Sequence, residues 1–495
     1  MYCEELSTYV KYVLIFITGF LIRFLPDIIA WPWLTGWDTS EYVAVLRDYI
    51  ISPTFHTYTK WYDSYVFLPP ILYLVLYPFS LVIDPWWLFK LVPSILHGLQ
   101  GIAFFYMLEK GFKLDLKKCY LASLIYLFYP MSLRISWGLL RNSLGNALLF
   151  FTIGRLESIK TWRDKWLFIL AIIAGLSHQT TAGLLAIIFL IYLILYLIRK
   201  KLKDALGYIL LFVIESIFLI IYFNFRIIWR NPVFGYVIAG IGSHKVTSLP
   251  FIGNFMRFIS PFIFSQWLLL ILALFGYFKN RSLSILFWTL MFFCILPGIY
   301  PGINIISWWR WILLITIPLS VYAGNALSKI SLKRALCFIV IIILIGLHYA
   351  TNTGLSLIPL IFPYTVPNFY STMVRSSVPI QDEESILKIA KYIKDNELYE
   401  KYKILTSLNI YPYLHIEIRF GKNIIVTYNL LKHLTYLYTK NIKIIYYVGY
   451  KEEFPTYIDI EGKKVSISIH IVKKLDNIYL YRIELEAKSS INKTN

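Results

Sequence analysis

Between Thr181 and Arg199 the chain carries no charged side chain, and Ala182 to Ile198 forms a run that is apolar on every helical face. A helix of that kind is buried in lipid or deep in a bundle. Similar runs recur, Ala335 to Tyr349 among them, and with their flanks they approach the roughly 20 residues that cross about 30 Å of hydrocarbon. Backbone groups in lipid must bond within their own segment, so the spans are helical. With 58% hydrophobic and 15% charged residues, and a mean hydropathy of +0.63, the 495-residue chain falls outside the soluble globular classes.

A formal charge of +20 would suit a nucleic-acid binder. Here, however, Lys and Arg collect in short loops between apolar runs, as cytoplasmic loops do, and no nucleic-acid partner is expected. Cys3, Cys119, Cys294 and Cys337 are scattered, form no CxxC pair and read as small core residues. The first run, Tyr9 to Ile29, continues past signal-peptide length without a small-residue cleavage site and is expected to stay as a membrane helix. Arg23, in its outer third, either snorkels to the headgroups or serves a function.

Loop charge sets the topology. Pro69 to Ile83 is short and interrupted by Pro78, so it is expected to be a juxtamembrane or re-entrant helix that returns to its own side. The spans that follow are Trp86 to Leu108, Cys119 to Leu133, Ser143 to Gly154, Trp166 to Leu176, Ala182 to Ile198, Ala205 to Phe225, Pro261 to Phe278, Leu283 to Leu296, Trp311 to Leu327 and Ala335 to Tyr349. In this register the basic clusters at Lys110 to Lys118, Arg155 to Lys165, Arg199 to Lys203, Lys279 to Arg281 and Lys329 to Arg334 all fall on one face. The expected fold is a polytopic α-helical membrane protein of about eleven transmembrane helices, its amino terminus cytoplasmic and its carboxyl terminus outside.

The membrane module covers residues 1–350, with a first extracytoplasmic loop over 31–85. A linker over 351–380, holding Pro359, Pro363, Pro367 and Pro379, leads to a small extracytoplasmic α/β domain over 381–487 and a tail over 488–495. Asp382, Glu383 and Glu384 open its first helix, where the dipole favours acid, and Ile-, Val- and Tyr-rich strands follow. The tail contains an Asn492, Lys493, Thr494 sequon. No repeat argues for an inverted-repeat transporter.

The outer face then gathers Asp38 and Glu41 in the first loop, Arg134 and Arg141 with Asn142, His178 with Gln179, Arg226, Arg230 and Arg257, and Arg310 between Trp309 and Trp311. Guanidinium groups bind phosphate in a two-pronged geometry, so this set suits an anionic lipid, although interfacial anchoring also explains each arginine taken alone. Asp38 is either a chemical group or the N-cap of a helix from Thr39 to Tyr49, a role open to Thr39 or Ser40 as well. His178 is a phosphate or hydroxyl contact, or a satisfied interfacial histidine. His97 and Glu215 lie mid-span and are expected to be structural. No metal-ligand spacing and no Gly-rich phosphate loop is present.

Several short segments together resemble the GT-C superfamily of integral-membrane glycosyltransferases, in the branch of protein O-mannosyltransferases, aminoarabinose transferases and their archaeal-type relatives. The segments are Trp37-Asp38; Leu68-Pro69-Pro70; Lys90 to Leu108; Gly138-Leu139-Leu140-Arg141-Asn142; and Gly175-Leu176-Ser177-His178. The resemblance implies that the first-loop Asp38 is catalytic, with Glu41 near it. It also implies that the donor is a polyprenyl (dolichyl-type) phosphate sugar, with Arg141 and Arg310 toward its phosphate; His178 and Arg134, from the same outer face, are added as candidates for that phosphate, and Glu41 as a candidate to assist Asp38. Three positions depart from the family pattern: Thr39 stands where an adjacent Glu is common, Leu68 where a His precedes Pro-Pro, and Asn142 where an acid follows the loop Arg.

The expected function is therefore inverting sugar transfer to an acceptor hydroxyl on a protein, lipid or glycan at the extracytoplasmic face of the lipid bilayer, with Asp38 as general base. No cofactor is expected, no metal ligands are assigned, and a divalent metal is left open. The alternatives are a flippase or transporter of lipid-linked saccharide, for which His97, Glu215 and Asn146 form a sparse polar path, and an oligosaccharyl transferase or ligase of the same superfamily.

Overall fold

The computed structural model describes residues 2–51, 56–59, 64–67, 69–159, 164–224, 229–231, 235–237, 251–299, 309–352, 373–407, 409–418, 423–427, 429–460 and 463–487. Most of the expected linker, the sequon and Arg226 lie outside these residues. The chain forms two compact units, one of Met1–Gly36, Phe67–Trp229 and Val237–Arg375, the other of Trp37–Val66, Arg230–Tyr236 and Ser376–Asn495.

The first unit is helical: α1 (Tyr2–Ile29), α3 (Ile71–Ser80), α4 (Pro85–Tyr106), α5 (Leu116–Phe128), α6 (Pro130–Ser136), α7 (Leu140–Ile159), α8 (Lys165–Ser177), α9 (Gln179–Ile198), α10 (Leu202–Asn224), α11 (Phe251–Gly276), α12 (Arg281–Ile299), α13 (Trp309–Leu314), α14 (Thr316–Ser328) and α15 (Leu332–Thr351). The label α2 belongs to Thr39–Ile51 of the second unit. Among the described residues, 7 segments are long and apolar enough to cross a membrane: Tyr9–Ile29, Pro85–Gly111, Gln179–Ile198, Ala205–Tyr222, Ile259–Gly276, Arg310–Ser328 and Leu332–Thr351. Ile71–Ser80, Lys165–Ser177 and Arg281–Leu296 are apolar but shorter.

One expected span is broken at a proline, and another is made irregular by one. Cys119 to Leu133 divides into α5 and α6 because Pro130 holds Tyr129 extended, at φ −70° and ψ 131°. Trp311 to Leu327 stays one span, Arg310–Ser328, with an irregular turn at Ile315, where Pro318 supplies no N–H to the carbonyl four residues back. The Arg310–Ser328 segment is still 89% buried against 33% for Leu332–Thr351, so it is central and the last helix peripheral.

Its packing tolerates no side chain at Gly276, where a Cβ would stand 1.7 Å from the Tyr322 carbonyl oxygen. Asn325 Nδ2 donates to the Gly276 carbonyl at 2.7 Å and Lys329 Nζ to that of Phe275 at 3.1 Å, so α14 caps α11. Gly276→Ala is expected to destabilise the unit by about 1–3 kcal/mol. Thermal unfolding in detergent measures this, and an unchanged melting temperature would mean that α11 and α14 separate freely.

In the second unit six strands pair in the order β6 (Ile424–Val426), β5 (Lys403–Thr406), β7 (Ile444–Gly449), β10 (Ile478–Ala487), β9 (Lys463–Leu475) and β8 (Tyr457–Ile460). The labels β1 to β4 fall to four short strands, His56–Thr59, Ser64–Phe67, Trp229–Asn231 and Gly235–Val237. Strands β6, β5 and β7 run parallel; β7, β10, β9 and β8 are antiparallel. Leu405, Ile445, Tyr447, Val465, Ile467, Tyr481 and Ile483 form one core with Leu434 and Leu437 of the helix Leu430–Thr439. From Tyr481 to Leu485, past a register shift after Leu480, β10 alternates with the period of two that a half-buried strand requires.

The boundaries differ from those expected from sequence. Trp37–Val66, expected within the membrane module, belongs with the carboxy-terminal residues, and that unit begins at Ser376 instead of 381. The reason is a polar seam. Helix α2 packs along the helix Tyr411–Glu417. His415 Nε2 meets Asp48 Oδ2 at 2.7 Å, and Arg47 Nη1 donates to the Ile416 carbonyl at 3.1 Å. Such residues are invisible as partners when they lie so far apart in sequence.

Candidate functional site

Asp38 stands in the turn just before α2. Its carbonyl accepts the first helical hydrogen bond, from the Tyr42 N–H at 3.1 Å, so it occupies the N-cap position and its side chain is half-buried. Glu41, also half-buried, is the acid of the first turn, where the helix dipole favours a negative charge. The start of α2 is anchored within its own unit. Ser40 is buried, and its neighbour Tyr413 donates to Ser376 Oγ at 2.9 Å, which in turn donates to Glu383 Oε1 at 2.7 Å. Burial, reinforced by the Glu383 charge, pushes the Tyr413 phenol well above the usual tyrosine value, which keeps it a donor.

The other sequence-derived candidates lie in the membrane unit. Arg134 is buried on α6, its guanidinium carbon 4.2 Å from the Trp137 ring centroid, a cation–π contact. Arg141 is half-buried in the first turn of α7. Only the segment from Trp137 to Leu139 separates α6 from α7. Trp137 Nε1 is tied to the carbonyls of Met373 and Arg375, both at 2.9 Å.

His178 joins α8 to α9 and is buried. Its Nδ1 accepts from the Thr180 N–H at 3.1 Å, so it caps α9 and its proton resides on Nε2. A Cβ on Gly145 would come within 3.1 Å of the His178 Cβ and 2.4 Å of Thr181 Oγ1. Gly145 lies one helical turn after Arg141, which brings Arg141 and His178 onto neighbouring surfaces. Arg310 opens α13, which packs against α6. Arg134, Arg141, His178 and Arg310 thus ride on adjoining elements of one unit. Of Arg230 and Arg257 only the backbone is described, in the strand Trp229–Asn231 and in α11.

Two sequence readings are sharpened. Arg23 does not snorkel: it is fully buried and pairs with Asp27 at 2.5 Å, a partner that the i,i+4 spacing could have flagged. His97 Nε2 lies 3.0 Å from the Leu127 carbonyl, a bundle contact of the kind expected. Among the described residues no three His, Cys, Asp or Glu side chains converge to hold a metal ion.

No protein-family model and no curated protein matches the sequence. Solved structures do. The structure of ArnT from Cupriavidus metallidurans bound to Undecaprenyl phosphate aligns with a TM-score of 0.51 at 13% identity, over 95% of this chain and 98% of that one. The same protein in the apo state aligns at 0.52 and 12% identity, over 96% and 98%. The chain has the ArnT fold. With seven described segments apolar and long enough to cross a membrane, this is a multi-pass membrane protein.

Proposed function

We propose that this protein is a GT-C-type membrane glycosyltransferase that moves a sugar from a polyprenyl-phosphate donor to an acceptor hydroxyl at the extracytoplasmic face. The observation that carries this reading is the alignment, over 95% of the chain, with a glycosyltransferase captured on Undecaprenyl phosphate. It is supported by the grouping of Arg134, Arg141, His178 and Arg310 on adjoining elements, a set rich in anion donors. The reading keeps the topology expected from loop charge, about eleven spans with the basic loops inside, in which the amino terminus is cytoplasmic and this set lies on the outer side.

In the proposed reaction the Asp38 carboxylate takes the proton from the acceptor hydroxyl as its oxygen bonds to the anomeric carbon. The bond from that carbon to the phosphate oxygen breaks on the opposite side, which inverts the configuration. The lipid phosphate leaves with the electron pair, and the arginines neutralise its charge, so a second carboxylic acid, as used in glycoside hydrolysis, is not needed. The acceptor is a protein, lipid or glycan, and the archaeal-type branch remains the sequence-based assignment.

The test uses the full-length protein in vesicles with synthetic polyprenyl-phosphate sugars, following release of lipid phosphate and the sugar's new linkage. Arg141→Ala is expected to raise the donor KM about tenfold or more, the loss of a charge-assisted contact. Movement of intact lipid-linked sugar across the vesicle without cleavage would replace the transferase with the flippase reading.

A further inference from the structure

The turn over 30–36 connects α1 to Trp37 and Asp38, and it is bound by a buried network of its own. Asp27, in the last turn of α1, accepts Arg23 Nη1 on Oδ2 at 2.5 Å and the Thr35 hydroxyl on Oδ1 at 2.6 Å. Arg23 also donates Nη2 to Thr35 Oγ1 at 3.3 Å and Nε to the Ser136 carbonyl at 3.1 Å. From α4, Lys90 Nζ reaches the Asp27 carbonyl at 3.2 Å and also donates to the Trp33 carbonyl. All four side chains are shut away from solvent: Arg23, Asp27 and Thr35 at 0% and Lys90 at 1% exposed.

Stability alone does not call for this arrangement. Removing charges from water is costly, and a well-packed apolar set of the same volume is often as stable or more so. What charges provide and methyl groups do not is direction. The Lys90 ammonium lies on the terminal carbonyls of α1, the negative end of its dipole, and clamps the backbone at Asp27 and at Trp33 together. Thr35 is held from both Arg23 and Asp27. Trp86 Nε1 adds a bond to the Pro32 carbonyl at 3.2 Å. The turn closes at Gly36, whose φ of 101° suits glycine and whose N–H donates to the Arg375 carbonyl at 2.9 Å. Asp38 follows two residues later along the chain.

We infer that Arg23, Asp27, Thr35 and Lys90 are positioning residues. They fix the backbone over 31–36, the segment that leads into Trp37 and Asp38 along the chain. This rests on the reading of Asp38 as general base. Their effect falls on the backbone that leads into Asp38, and a displacement of about 1 Å at a reacting group costs on the order of a hundredfold in rate.

The experiment compares full-length wild type, Thr35→Val, Lys90→Met and Asp38→Asn in membranes. Transfer kinetics are measured with a synthetic polyprenyl-phosphate sugar, and backbone hydrogen exchange over 33–37 on the same preparations. Thr35→Val keeps the side-chain shape and serves if Lys90→Met does not insert. Both network variants are expected to lose about tenfold or more in kcat with the donor KM within about twofold, and to exchange at least about tenfold faster across the turn. Unchanged exchange, faster exchange with unchanged kcat, or a rise in KM at constant kcat would each overturn the inference. Asp38→Asn separates the two claims. If it transfers sugar normally, the base assignment fails; if it is inactive while the network variants run at the wild-type rate, the positioning role fails.

Discussion

Asp38→Asn is expected to reduce sugar transfer by about a thousandfold or more, within the range that general-base removal produces, while donor affinity changes by less than about threefold. The substitution separates chemistry from folding. Asn caps helices about as well as Asp, so α2 should still begin at Thr39 and the Tyr42 N–H should still find the carbonyl of residue 38. What is lost is the basic oxygen that receives the acceptor's proton. Single-turnover transfer measured beside donor binding checks both halves. A variant that transfers at the parental rate would remove Asp38 from the mechanism. Glu41→Gln is the companion measurement: it is expected to cost about tenfold or less, and an effect as large as that of Asp38→Asn would move the base to Glu41.

The second large effect is expected within the seam of the second unit. Asp48 and His415 have side chains only 7% and 3% exposed, and His415 is held from the other side by the Tyr411 hydroxyl at 3.0 Å. The tyrosine can donate to Nδ1, so Nε2 presents its proton to the carboxylate. His415→Ala leaves a carboxylate buried and should cost about 3–5 kcal/mol, whereas the double variant Asp48→Leu, His415→Leu should cost less than either single change. Thermal unfolding and hydrogen exchange over 39–51 would report both. If either single variant melts within a degree of the parent, the pair does not hold α2 in place.

Much of the helical unit was legible because lipid imposes a single pattern, a long apolar run ending in basic loops. The break at Tyr129 and the irregular turn at Ile315 were not, although their cause is local. Pro130 and Pro318 lie inside apolar runs, and hydropathy averages over a missing N–H. In the carboxy-terminal residues richness in Ile, Val and Tyr pointed to strand runs such as Ile478 to Leu485, within the strand Ile478–Ala487, but no local signal gave the order in which they pair.

For the site, composition and loop charge brought Arg134, Arg141, His178 and Arg310 to one face of the chain, and the structure seats them on adjoining elements. His178 was ambiguous because a capping histidine and a ligand-binding histidine look alike until the Thr180 N–H is seen on Nδ1. Arg23 and Lys90 were misjudged or passed over because a single charge within an apolar run says nothing about where its partner lies. The partners were a carboxylate one turn away and carbonyls far along the chain. The grouping of α2 with the carboxy-terminal residues has the same origin: pairing between residues 47–48 and 415–417 is a property of the fold, with no trace in the neighbourhood of either segment.

That seam has a consequence for biosynthesis. Helix α2 leaves the ribosome near the start of synthesis, while the helix it packs against, Tyr411–Glu417, is made only after every spanning helix. Until then Asp48 lacks His415, Arg47 lacks the Ile416 carbonyl, and the segment after Asp38 has no completed surface to dock on. A nascent or truncated chain would carry all its lipid-facing helices yet lack the means to settle its first loop, so competence arrives with the last hundred residues and is withheld from fragments that stop short of them.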